Sequence, residues 1–113
     1  MTILRESARW APHCMACDLG NPNHDLLCLA HSNRLADGKG MLLKSLDEKG
    51  AITCFDCHNL IDGRVGKLSR EEAQAMHRRA HIRTVKWWVK TGYLTPEHGQ
   101  QLIQEATHDV HGA

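Results

Sequence analysis

The chain has 113 residues, 42% of them hydrophobic, with one Phe, one Tyr and three Trp, which suits one compact domain whose core is short of aromatic bulk. It contains no apolar run of about eighteen residues and no charged-then-apolar leader, so neither a membrane span nor a signal peptide is expected and a reducing, cytoplasmic compartment is the default. The formal charge of +1 hides an uneven distribution: eight Lys or Arg between Arg64 and Lys90 stand against only Glu71 and Glu72. Such a block suits phosphate backbones, and a solvated helix face is the plain alternative.

Read in chain order, residues 1–12 carry little pattern beyond Leu4 and Trp10, with Arg5 and Arg9 as candidate phosphate contacts. The first CxxC, Cys14 and Cys17, is followed by DLGNPNHD, an exposed turn. Leu26 to Ala30 predicts a short strand that ends at His31, after which SNRLADGKG is a loop with Lys39 between two glycines. Leu42 to Glu48 predicts a helical turn, Gly50 a break, and Ala51 to Thr53 a second strand entering the second CxxC, Cys54 and Cys57. A short helix is expected from about Cys57, stopping at Gly63. Ser69 with Glu72 forms a capping box for a longer helix from Arg70 toward Thr91, ended by Gly92, with Ile82, Val85, Trp88 and Val89 on one face. Thr95 and Pro96 open a last helix that docks through Leu102, Ile103 and Ala106.

The paired CxxC motifs are separated by 36 residues. Thiolates at i and i+3 on a tight knuckle converge on one centre, and Cys14, Cys17, Cys54 and Cys57 supply the four ligands of a closed structural zinc site. A disulfide framework is the weaker reading without a secretory leader. Closed coordination leaves no position for water, so this metal should hold the fold, with a folding contribution on the order of 10 kcal/mol. Cys28, in the run LLCLA, reads as a small buried hydrophobe.

His58 and Asp62 stand at i and i+4, one face of a helix, a spacing that suits a second, hard divalent ion with open positions for a phosphodiester oxygen and water. The plain alternative is a surface His and Asp that merely pair. His31 is the natural general base, because a neutral imidazole can take a proton from water near neutral pH. His77 and His81 also stand at i and i+4, and read as a solvent-facing pair on a basic helix.

CxxC, a strand ending in Leu29-Ala30-His31, a Gly-containing loop and then CxxCH opening a helix resemble the HNH endonucleases of the ββα-metal (His-Me finger) superfamily. Within it the chain is similar to the small YbcO-like nucleases of phages and prophages, through LRESAR at Leu4 to Arg9, Asn21-Pro22, CHNLID at Cys57 to Asp62 and RTVKWWVKTGYL at Arg83 to Leu94. The resemblance implies an α+β fold: a single HNH-like domain over residues 1–113, with a zinc-stapled ββα core at about 12–63 and C-terminal helices at about 69–108. It implies hydrolysis of DNA phosphodiester bonds, with His31 as base and His58 and Asp62 holding a catalytic divalent ion (Mg2+, Mn2+, Ni2+ or Zn2+). It also implies phosphate contacts from Lys39, Arg64 and Lys67, no membrane partner, and residence in the cytoplasm of a bacterial host. Many HNH enzymes carry an acidic or histidine ligand just before the base; here that residue is Ala30, which leaves the ion fewer protein ligands, with Asn33 as a candidate replacement. The middle asparagine of the pattern has Asn59 and Asn33 as its candidates. A non-catalytic zinc-knuckle protein that binds nucleic acid is the second reading, and a zinc-stapled protein-interaction adaptor the third.

Overall fold

The computed structural model describes residues 3–21, 26–31, 47–62 and 68–112, with side chains described as far as Thr107. Among these residues the fold is mixed α+β, with a two-stranded antiparallel sheet and four α-helices. α1 (Ile3–Ser7) runs into a 3₁₀ turn at Ala8–Trp10. β1 (Leu27–Ala30) pairs with β2 (Ala51–Cys54) in the register Leu27↔Cys54 to Ala30↔Ala51. α2 (Phe55–Asp62) follows β2 without a linker, two residues earlier than its sequence suggests, so that Cys57 lies in its first turn.

α3 (Arg70–Thr91) is bounded as its punctuation dictates. The Ser69 hydroxyl accepts the Glu72 amide, the Glu72 carboxylate accepts the Ser69 amide, and Gly92 closes the helix at φ 91°, a left-handed conformation that glycine adopts without strain. α4 (Pro96–Gly112) starts at the proline, with the Thr95 hydroxyl capping the amide of His98. It packs against α3 through Leu102 and Ala106, closely enough that a Cβ on Gly99 would lie 2.3 Å from a Val89 methyl.

The core sits between α3 and the sheet. Trp88, Val85, Ala80 and Ile52 are fully buried, with Leu4, Ala8, Leu27 and Leu29 closing it from the N-terminal side. Two polar contacts aim these elements. The Trp88 indole donates to the Ser7 hydroxyl at 2.7 Å, and the Ser7 hydroxyl donates to the Leu4 carbonyl at 2.5 Å, which docks α1 on α3. Asn21, 7% exposed, donates its amide toward the carbonyls of Ala8, Arg9 and Ala11 and accepts the amide of Leu26, joining the first knuckle to the entrance of β1.

The outer edge of β2 is occupied at Ile52. Its amide donates to the Thr84 hydroxyl on α3 at 3.0 Å, and its carbonyl accepts the amide of Met15 at 2.9 Å. The second bond lays the first knuckle along β2, where Cys14 and Cys17 meet the second pair. The helical turn expected at Leu42 to Glu48 falls largely outside the described residues; among them is a 3₁₀ turn at Asp47–Lys49, closed by the Gly50 amide on the Asp47 carbonyl.

Candidate functional site

The sulfurs of Cys14, Cys17, Cys54 and Cys57 lie within 4.8 Å of one another, the one group of three or more potential ligands that converges among the described residues. Cys17 Sγ and Cys54 Sγ are 3.7 Å apart. A tetrahedral zinc with Zn–S bonds of about 2.3 Å separates its sulfurs by about 3.8 Å, so the spacing fits that ion. The first knuckle is built by its backbone: Asp18 adopts φ 66°, its amide donates to the Cys14 carbonyl, and the amides of Ala16 and Cys17 point at Cys14 Sγ. Burial opposes ionisation of the Cys14 thiol, but these amides outweigh it and hold the group below the ordinary thiol range. Cys57 is pushed far up by burial and by the sulfurs of Cys54 and Cys17. A dication reverses that second effect, because it stabilises every thiolate around it. These four residues could hold zinc.

His31 follows the last residue of β1, and the preceding carbonyl, that of Ala30, is gripped from α3 by His77 Nε2–H at 2.9 Å. His31 Nε2 lies 2.5 Å from Asp47 Oδ1, and Arg5 reaches the same oxygen at 3.3 Å. Sequence reasoning missed Asp47, which lies sixteen residues from His31 in the chain. Arg5, expected at a phosphate, is engaged with this carboxylate.

His58 and Asp62 do share a face of α2, with Nε2 and Oδ2 3.0 Å apart. At that distance the two side chains pair directly with each other, and the same separation would also suit adjacent ligands of one octahedral ion, each about 2.1 Å from it. No third ligand atom completes a cluster with them among the described residues. Cys28 is half-buried and not sealed in the core: its sulfur sits 3.3 Å from His58 Nδ1, and burial pushes its thiol up to about 11. The structure thus groups His31 with Asp47 and His58 with Asp62. Ala30 is fully buried, and Asn59 is half-buried on α2. Lys39, Arg64, Lys67 and Asn33 lie outside the described residues.

The reading of His77 and His81 as a solvent-facing pair is corrected. They are 8% and 4% exposed, and their rings stack 6.3 Å apart. His81 Nδ1 lies 2.7 Å from the Gly50 carbonyl, just as His77 Nε2 meets that of Ala30. A carbonyl only accepts, so each ring nitrogen carries its proton there. The pair tethers both strands at the end from which His31 projects.

The opposite face of α3 is basic. Arg79, Arg83, Lys86 and Lys90 recur at helical spacing and are exposed, on the side of the helix away from Ala80, Thr84 and Trp88. Arg83 is also tied to the first knuckle, donating to the Met15 carbonyl at 2.8 Å and to Asp18 at 2.6 Å; this guanidinium holds the Asp18 carboxyl below its ordinary range.

No helix among the described residues is long and apolar enough to cross a membrane. Searches of curated proteins and of solved structures gave no match. A family model described as "Putative nuclease YbcO" matches residues 2–93, a span that runs from α1 through the four cysteines, His31 and α2 to the end of α3. The chain belongs to that nuclease family, whose substrate is nucleic acid.

Proposed function

We propose that this chain is a metal-dependent endonuclease of the ββα-metal (HNH, His-Me finger) type that hydrolyses DNA phosphodiester bonds inside a bacterial host. The observation that carries the reading is the order of parts within a nuclease family: β1 followed directly by His31, an antiparallel β2, and α2 carrying His58 and Asp62 as an i, i+4 pair. Cys14, Cys17, Cys54 and Cys57 hold a structural zinc, and His58 and Asp62 hold the catalytic divalent ion, which supplies positive charge against phosphate oxygens.

His31 takes a proton from a water molecule. The water oxygen bonds to phosphorus, one phosphorus–oxygen ester bond breaks, and the leaving alkoxide is protonated from solvent, giving an alcohol and a phosphomonoester. The exposed basic side chains of α3, together with Lys39, Arg64 and Lys67, hold the phosphate backbone; such contacts position a duplex without reading its bases.

Nicking of supercoiled plasmid with Mg2+, Mn2+, Ni2+ or Zn2+ tests this directly. The parent should cut with at least one of these ions, and His31→Ala and His58→Ala should each lose most of that activity. Cutting that survives both substitutions sinks the mechanism.

One observation favours a second reading, a zinc-stapled protein that binds nucleic acid without cutting it. Among the described residues the four cysteines converge as a full ligand set, whereas His58 and Asp62 contribute two ligands. Salt-sensitive binding without cleavage under any of the four ions would select it.

A further inference from the structure

We propose that Asp47 is a positioning residue for His31, holding Nε2–H so that Nδ1 becomes the nitrogen that accepts the proton; this rests on the nuclease reading above. A carboxylate only accepts hydrogen bonds, so with Asp47 Oδ1 2.5 Å from His31 Nε2 the neutral ring must place its proton on Nε2. When the ring takes a second proton, the same carboxylate faces the Nε2–H of an imidazolium, in the geometry of the orienting acid in other base–carboxylate pairs. Arg5 makes a second ion pair with the same oxygen, at 3.3 Å.

Among the described residues, the turn that carries Asp47 contacts α1, α3 and α4. Glu48 pairs with His98 at 2.8 Å and Lys49 with Glu105 at 2.5 Å, both on α4. The Gly50 amide closes the turn on the Asp47 carbonyl, and the Gly50 carbonyl is held by His81 of α3. Asp47 itself faces α1 through Arg5. Its carboxylate is 11% exposed, and the His31 side chain 26%. A surface pair between two mobile side chains would be worth little. A partly buried pair on a turn fixed to α1, α3 and α4 is pre-organised, which is what a base needs from its orienting group.

Nicking kinetics of the full chain, measured for the parent, Asp47→Asn, His31→Ala and the double variant, test the assignment together with side-chain 15N NMR. Asp47→Asn should lower kcat roughly ten- to hundredfold with KM within about twofold, and should add nothing to His31→Ala, because its effect passes through that ring. An unchanged kcat, or a loss of the same size in both backgrounds, overturns the proposal. The NMR measurement, made where the ring is neutral, reads the contact without catalysis: the parent should show the His31 proton on Nε2 with its resonance moved downfield by the carboxylate, and Asp47→Ala, which removes the acceptor, should return that resonance toward the free-imidazole position. A parent ring protonated on Nδ1, or an Nε2–H resonance indifferent to Asp47→Ala, overturns the assignment whatever the nicking assay gives. The expected resonances in a protein that cuts nothing would support the pair and sink the nuclease reading instead.

Discussion

His77 Nε2–H donates to the carbonyl of Ala30 at 2.9 Å, and the next residue in the chain is His31. The bond fixes the last peptide of β1 from a helix that begins forty residues later. His77→Ala would remove the side-chain donor to that buried carbonyl, whose residue is also paired with Ala51 in the sheet, at a cost of about 1 kcal/mol. Denaturant unfolding should show a lower midpoint with an unchanged slope, and His77→Gln, which can still donate, should recover part of the loss.

The zinc assignment predicts about one tightly held zinc per chain by elemental analysis. Cys14→Ser or Cys57→Ser should lose the metal and the cooperative unfolding transition, and a strong chelator should do the same to the parent, since binding energy on the order of 10 kcal/mol is folding energy here. Cys28→Ser, outside the cluster, should keep the metal.

Two buried threonines should answer one substitution with opposite signs. Thr84 accepts the amide of Ile52 and donates to the Ala80 carbonyl at 2.7 Å, so Thr84→Val strands a buried amide and should cost about 1–3 kcal/mol. The Thr53 hydroxyl is buried and has no hydrogen-bond partner among the described residues. Thr53→Val should therefore be neutral or stabilising. Thermal or chemical denaturation of the two variants side by side checks the contrast.

Gly99→Ala should destabilise the α3–α4 contact by about 1–3 kcal/mol, although alanine is the better helix former. Its Cβ would meet a Val89 methyl at 2.3 Å and a Val85 methyl at 3.4 Å, and a β-branched side chain on a helix has little rotamer freedom to move aside. Adding Val89→Ala should relieve the overlap, so the double variant should be more stable than the two separate losses together imply.

The capping box gives a pH signature. The Ser69 amide, with the Ser69 hydroxyl second, holds the Glu72 carboxyl below its ordinary value. A carboxyl depressed in the folded state contributes stability that is present above its unfolded value and lost as pH falls through its folded one. The parent should lose that contribution as pH drops below about 4.5, and Glu72→Gln should lack this part of the acid dependence; unfolding midpoints along a pH series give the comparison.

The elements were legible where punctuation is local. Ser69, Glu72, Gly92, Thr95 and Pro96 mark helix ends by bonds made within a few residues, and the cysteines declare themselves by spacing. The expected core face of α3 was right in Val85 and Trp88, which are fully buried, while Ile82 and Val89 lie at its margins. What the pattern could not supply was the phase of the polar residues: His77, His81 and Thr84 fall on the buried face because the backbone of the strand ends and of Ile52 needs donors and an acceptor there. Charged neighbours such as Arg78 and Arg79 disguised that face as solvent-exposed. Asp47 was illegible for a related reason, since it meets His31 only in the folded chain and no periodicity relates two residues sixteen apart.

With both polar groups of Ile52 engaged, by Thr84 and by Met15, the edge of β2 has nothing left there to offer an incoming strand. An open edge invites strand exchange between copies and the growth of extended sheets. At this position the chain closes that route with its own helix and its own knuckle, so a lesion that frees the knuckle would expose the Ile52 carbonyl and carry a hazard of self-association beyond its cost in stability.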